Sequence, residues 1–359
     1  VGGMTEVPAV THAYGTPDWS VVYPPDNKKL AGMPLPQRIE NTRALLRHHN
    51  IKLRRNLMTK EVEYDVGMST TNGSLALIYD QARRWGLSVS AVTDHLRIIL
   101  DENEYHPVAD WIRSKPWDGQ DRFDELGSTV TLAPDYDRDL WLGLLRLWLC
   151  PGAACALRKN VQTQGLLVMQ GNENTGKTQW LLHLVPPEHR GTWAVDGLLL
   201  NPADKDSMHQ ATSHWLVELG ELDATFRRTD ISALKAFVTR LTDEYRCPYE
   251  RLPEKHPRRT ALYASVNRSD ILADDTTGNR RFWVVRVDHC NFLHDIDLQQ
   301  LWAQAAYYVD QGEELWLSAD LRKRLRDSNE EHRTDDPIYD ALTSVVTLDT
   351  TGRTYTKQS

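Results

Sequence analysis

The chain has 359 residues, 40% of them hydrophobic and 26% charged, with a formal net charge of −8. That length leaves room for two or three domains with a sizeable core, and the acidic balance excludes a surface that is basic all over, so any nucleic-acid contact has to be concentrated. No apolar run reads as long enough to cross a membrane, the start lacks a signal-peptide pattern, and four scattered cysteines supply neither a disulfide framework nor metal-site spacing, so a cytoplasmic protein is expected.

In chain order, residues 1–36 carry six prolines and little periodicity, which predicts an extended arm. Residues 37–130 predict a small helical domain, with helices over Ile39–His48, Ala76–Trp85 and Ser88–Leu100, where Val89, Val92, Leu96 and Ile99 recur at helical spacing. A strongly apolar helix is expected over Arg138–Cys150, packed beneath a sheet. Residues 131–297 then alternate apolar runs with helical patterns, as an α/β sheet with crossovers does: strands are expected at Leu166–Gln170, Trp193–Val195, Trp215–Leu219, Ala261–Val266 and Phe282–Val287, with a helix over Asp230–Leu241. Residues 298–359 return to helical spacing.

The most informative stretch follows the first of these strands. Gly171-Asn172-Glu173-Asn174-Thr175-Gly176-Lys177-Thr178 is a complete G-x-x-x-x-G-K-[ST] phosphate loop opening into a helix at Gln179. Gly171 and Gly176 permit backbone angles that let successive N–H groups converge on a phosphate. Lys177 is placed to reach the outer phosphates and Thr178 to ligate Mg²⁺, so the expected cofactors are ATP and Mg²⁺. Hydrolysis needs an acid at the end of a neighbouring strand, and Trp215-Leu-Val-Glu218-Leu-Gly-Glu221 supplies two carboxylates whose burial among apolar residues calls for a cation or water nearby. Asn267, ending the Ala261–Val266 strand, is positioned to orient water beside the terminal phosphate. Adjacent Arg280 and Arg281 start the last strand and can neutralise charge on a transferring phosphoryl group.

Arg240–Arg259 is the densest basic stretch. Pro248, Pro253 and Pro257 make it a loop or hairpin, and Tyr245 and Tyr249 interleave with Arg246 and Arg251, a combination that tracks phosphates and stacks bases; Lys255, His256, Arg258 and Arg259 continue it.

Taken together, Trp215–Leu222, Leu234–Arg240, Tyr245–Arg251, Pro257–Arg259 and Thr277–Phe282, with Asn103–Val108 and Trp117–Arg122 upstream, resemble the virulence-associated protein E family over roughly residues 90–310. That family belongs with phage and genomic-island replication ATPases and is similar to superfamily 3 and AAA+ helicases. The resemblance implies a P-loop ATPase core in a ring-forming, hexameric motor that translocates on single-stranded DNA and opens forked duplex. Gly171–Thr178 would be its Walker A loop, Glu218 its Walker B acid and Asn267 its polar sensor. Arg280 or Arg281 would be a finger into the adjacent subunit's site, and Lys235 with the 246–259 loop would be DNA-gripping elements. The amino-terminal region is the expected docking point for replication proteins. Leu219 follows Glu218 where many relatives place a second acid, which leaves open whether Glu218 or Glu221 polarises water. A nucleotide-regulated initiator or helicase loader without processive unwinding, and a small-molecule kinase, share the loop and remain alternatives.

Overall fold

The structure, a computed structural model, describes residues 36–66, 71–201, 204–220, 231–245, 254–267, 280–330, 346–348 and 354–356. The chain divides into two compact units, one ending at Tyr105 and the other beginning at His106.

In the first unit, helices α1 (Ile39–His48), α2 (Thr71–Arg84) and α3 (Val89–Glu102) surround a small sheet of β1 (Lys52–Asn56), β2 (Val62–Asp65) and β3 (Glu104–Tyr105), ordered β2-β1-β3. Ser88 caps α3 by accepting from the Ala91 N–H, and Val92, Leu96 and Leu100 meet Leu45, Leu53 and Ile78 in one core. The unit is therefore not purely helical. Its strands escape a reading based on apolar periodicity because Lys-Leu-Arg-Arg-Asn and Val-Glu-Tyr-Asp bury little. Nor does the expected boundary at residue 130 fall between units, since residues 106–130 belong to the second.

The second unit runs α4 (Pro107–Ile112), α5 (Phe123–Ser128), β4 (Val130–Leu132), α6 (Arg138–Leu157), β5 (Leu166–Gln170), α7 (Lys177–Leu182), β6 (Ala194–Leu198), α8 (Lys205–Thr212), β7 (Leu216–Leu219), α9 (Ile231–Val238), β8 (Thr242–Tyr245), β9 (Glu254–Pro257), β10 (Ala261–Val266), β11 (Phe282–Cys290), α10 (Leu298–Asp310) and α11 (Ala319–Glu330). Its six-stranded sheet has the order β4-β11-β5-β10-β7-β6; β11, β5, β10, β7 and β6 are mutually parallel and β4 runs antiparallel along β11. The chain is thus mixed α/β with a largely parallel central sheet. Strand alternation assigns the faces. Leu166 and Val168 of β5, Val217 and Leu219 of β7, and Leu262, Ala264 and Val266 of β10 pack against Met208 and Ala211 of α8 and Leu234, Phe237 and Val238 of α9. The other face meets α6, α7 and α10 through an aromatic layer in which Trp180 stacks on Tyr263 and Trp148 touches both Tyr263 and Trp302. Buried indoles there find carbonyl acceptors: Trp148 donates to Leu262, Trp215 to Gly152 and Trp302 to Leu184.

Two expectations need correction. Helix α6 is longer than the apolar run up to Cys150 suggests, continuing through Pro151 to Leu157, and its best window has a mean hydropathy of 1.6, so length and composition alone would let it cross a membrane. In this fold 78% of that window is buried, against α10 and the sheet, which makes it the core helix expected beneath the strands. The carboxy-terminal region is not wholly helical either, because β12 (Val346–Leu348) pairs antiparallel with β13 (Thr354–Thr356). The expected arm, residues 1–36, lies outside the described residues except for Pro36.

Candidate nucleotide site

Strand β5 lies between β10 and β11; its crossover through α7 leads to β6 at the far edge, whereas the connection leaving neighbouring β10 leads back past β5 to β11, so the connections from these two adjacent strands depart in opposite directions. In an open parallel sheet the crevice at such a point, at the carboxyl ends of the strands, is where ligands bind. The phosphate loop occupies it. Gly176 has φ +89° and Asn174 φ +60°, both left-handed. A Cβ on Gly176 would stand 2.4 Å from the Cys290 carbonyl oxygen, and one on Gly171 would stand 2.2 Å from that of Val287, so the glycines let the loop lie directly on the end of β11. The Cys290 N–H fixes it there by donating to the Thr175 carbonyl at 2.7 Å. The backbone N–H groups of residues 172–176, by contrast, donate to no described protein atom, which leaves a run of donors for an anion.

Lys177 is only 6% exposed. Its Nζ donates to the carbonyls of Gly171 (2.9 Å) and Asn172 (2.6 Å) and lies 3.2 Å from Asn267 Oδ1. Burial holds its pKa below the usual lysine value. Its own carbonyl accepts from the Tyr263 hydroxyl at 2.9 Å, tying the start of α7 to β10. Thr178, one residue on, turns to the sheet and donates to Glu218 Oε1 at 2.8 Å.

Glu218 is 2% exposed and faces α7 because β7 alternates Val217 and Leu219 into the opposite core. Burial raises its pKa, against the pull of hydrogen bonds from Ser265, Thr178 and the Gly197 N–H. Ser265 Oγ donates to the same Oε1 at 2.5 Å and lies 3.3 Å from Thr178 Oγ1. Sequence reasoning missed Ser265 and Tyr263. The available signal was period-two alternation: Tyr263, Ser265 and Asn267 share one side of β10 as it runs toward the crevice. Asn267 also sits 3.4 Å from Glu173 Oε1 through its Nδ2. Beneath the loop, burial pushes the Cys290 thiol up to about 12; Cys150 and Cys155 are likewise buried and free, while Cys247 lies outside the described residues.

Loop residues 171–178, Glu218 and Asn267 are therefore brought to one crevice, with Gln179 in the first turn of α7. Arg280 and Arg281 are not. The Arg281 carbonyl accepts from the Leu166 N–H at the amino end of β5, the opposite end of the sheet. Glu221, Arg246, Tyr249 and Arg251 lie outside the described residues. Thr242–Tyr245 and Glu254–Pro257 form the expected hairpin, with Lys255 exposed and His256 half-buried on β9.

Three expected DNA contacts are corrected. Arg258 is 1% exposed, forks onto Asp243 at 2.6 and 2.7 Å, and lies over the Phe237 ring. Arg259, 5% exposed, donates to the carbonyls of Cys155, Ala156 and Arg158 and so satisfies the end of α6. Lys235 is buried in α9. Desolvated groups facing the interior cannot grip a strand in this conformation.

Comparison with known proteins gives two results. Three apo structures of the C-terminal region of NrS-1, two given as residues 305–718 and two as an A form, are similar at 14%, 13% and 12% identity with TM-scores of 0.49, 0.47 and 0.42. The alignments cover 85%, 85% and 84% of this chain and 76%, 77% and 73% of theirs. No curated protein matches the sequence. Residues 112–334, more than half of the chain and including every element of the crevice, match the virulence-associated protein E-like domain; the protein belongs to that family.

Proposed function

We propose that the chain is an ATP- and Mg²⁺-dependent motor acting on single-stranded or forked DNA in the replication of a phage or mobile element, hydrolysing ATP at the junctions of a ring, a hexamer by analogy with helicases of this type. The observation that carries the reading is the convergence of free loop N–H groups, Lys177, Thr178 and Glu218 in one crevice. The pocket's chemistry fits a nucleoside triphosphate and Mg²⁺: glycines whose Cβ atoms would strike β11, a lysine held at the loop, and a hydroxyl beside a buried carboxylate.

In this reading the 172–176 N–H groups orient the phosphates. Lys177 exchanges its loop carbonyls for the outer phosphate oxygens, stabilising the charge there. Thr178 and Glu218 would hold Mg²⁺, which when bound neutralises phosphate charge and orders water. Ser265 keeps the Glu218 carboxylate aimed at the crevice, and Asn267 orients a water. Arg280 or Arg281 acts from a neighbouring copy, since neither reaches its own loop. The exposed hairpin end with Lys255 is the described part of the DNA-contacting element, and the amino-terminal region is the docking point for replication proteins.

Lys177→Ala tests the assignment. ATP hydrolysis should fall to background and nucleotide affinity should drop; turnover at the wild-type rate would refute the loop's role.

A further inference from the structure

Across the phosphate loop from Asn267, the segment that follows β11 builds a surface that no step of hydrolysis uses. Lys177 Nζ lies 3.2 Å from Asn267 at the end of β10, and Thr178 turns to Glu218 on β7, so the outer phosphate and Mg²⁺ belong on that side of β5. Strand β11 borders β5 on the other side. A nucleotide whose phosphates follow the loop therefore carries its base toward the residues after β11. There the chain is pinned at successive points: the Cys290 N–H donates to the Thr175 carbonyl, the Asn291 N–H to the Thr129 carbonyl at 2.8 Å, and the Leu293 N–H to Asn291 Oδ1 at 3.2 Å. Within this segment Phe292 is half-buried with its ring against the loop, for a Cβ on Gly176 would stand 3.1 Å from Phe292 Cδ1. Leu293 beside it, 75% exposed, extends the apolar surface. An aromatic face fixed next to a phosphate loop is one on which a base can stack.

His183, just past the end of α7, adds a polar group to that surface. Its ring meets the Phe292 ring with 5.0 Å between centroids and 57° between planes, one helical turn on from the exposed Gln179. Its Nδ1 lies 2.8 Å from the Gln179 carbonyl oxygen. A carbonyl only accepts, so Nδ1 carries the proton, and a neutral ring tied in this way keeps Nε2 as an acceptor. Among the described residues nothing donates to it. Such an acceptor complements the 6-amino group of adenine and opposes the 6-oxo group of guanine, which offers only lone pairs.

We propose that Phe292 is the stacking platform for the nucleobase and that His183 Nε2 accepts from its exocyclic amino group, which makes the site selective for adenine over guanine nucleotides. The proposal rests on the nucleotide reading of the loop and adds to it the residues that choose the base.

The test titrates full-length chains by calorimetry with the Mg²⁺ complexes of ATPγS, GTPγS and tripolyphosphate, the last having phosphates and no base. The wild-type chain should bind ATPγS about tenfold or more tighter than GTPγS, the worth of one hydrogen bond. His183→Ala should bring ATPγS to the level of GTPγS and leave tripolyphosphate unchanged. Phe292→Ala should weaken both nucleotides by about tenfold or more, again with tripolyphosphate unchanged, whereas Phe292→Trp, which keeps an aromatic face, should bind as the wild type does. Equal wild-type affinity for the two nucleotides, or a preference that survives His183→Ala, would overturn the role of His183. Unchanged nucleotide affinity in Phe292→Ala would overturn the platform, and so would an equal loss for tripolyphosphate, which would make the ring a support for the loop; the nucleotide reading would stand in either case. A wild-type chain that binds none of the three would sink both.

Discussion

Two of the chain's pairs of adjacent arginines, Arg258-Arg259 and Arg280-Arg281, flank β10 in the second unit, and the fold treats them in opposite ways. Arg258 and Arg259 follow β9 and turn inward, one to a buried carboxylate and the other to the last carbonyls of α6. Arg280 and Arg281 precede β11 and line an open cleft with no carboxylate partner among the described residues. The lesson is that a dibasic step states only that charge is present; what compensates it decides whether it holds the fold or waits for a ligand.

That contrast can be broken by substitution. Replacing whichever of Arg280 and Arg281 acts between copies should lower ATP turnover by about 10³-fold or more while thermal stability stays within about 0.5 kcal/mol. Equal loss of stability would erase the distinction between the pairs. Arg258→Ala should do the reverse, destabilising by about 3–5 kcal/mol because Asp243 is left buried with only the longer contact to Arg240; the Asp243→Asn change in the same chain should recover part of that in urea unfolding. Arg259→Ala should cost less, about 1–3 kcal/mol, the price of exposing unsatisfied carbonyls at the end of α6. Early loss of amide protection at residues 154–158 in hydrogen exchange would localise it.

The smallest effect sharpens the comparison at the crevice, where a buried carboxylate is held by hydroxyl and N–H donors in place of a guanidinium fork. Burial raises the Glu218 pKa above its unfolded value, so below the unfolded pKa both states are protonated and the site costs nothing; as pH rises through the folded pKa the ionised, desolvated carboxylate costs stability. Glu218→Gln keeps an Oε1 acceptor for Thr178 and Ser265. It should therefore raise the melting temperature at pH 8 and not at pH 4, while hydrolysis is lost. A pH-independent shift in melting temperature would show that the carboxylate's charge is not the cause.

Much of the second unit was legible before folding. The strand at Ala261–Val266 has the expected bounds and β5 likewise, as does α1 (Ile39–His48) in the first unit, because these segments carry strong apolar periodicity of the right length. The first unit's sheet was not, since Arg54, Arg55, Glu63 and Asp65 interrupt any apolar pattern and edge pairing holds those strands together. The expected end of α6 at Cys150 was missed for another reason: Pro151 and Gly152 look like a helix end, and packing overrides them.

For the crevice, the order of residues alone determined the loop. Two glycines, a lysine and a threonine at fixed spacing between a strand and a helix have one arrangement in which the backbone donors converge, and that is a local property of eight residues. The partners of those residues were decided by the sheet. Ser265 and Glu218 are 47 positions apart and meet only because β10 lies between β5 and β7 in register, with alternate side chains turned to α7. Which arginines face inward was decided the same way, for compensation of a charge depends on what tertiary packing sets beside it, and no spacing along the chain encodes that.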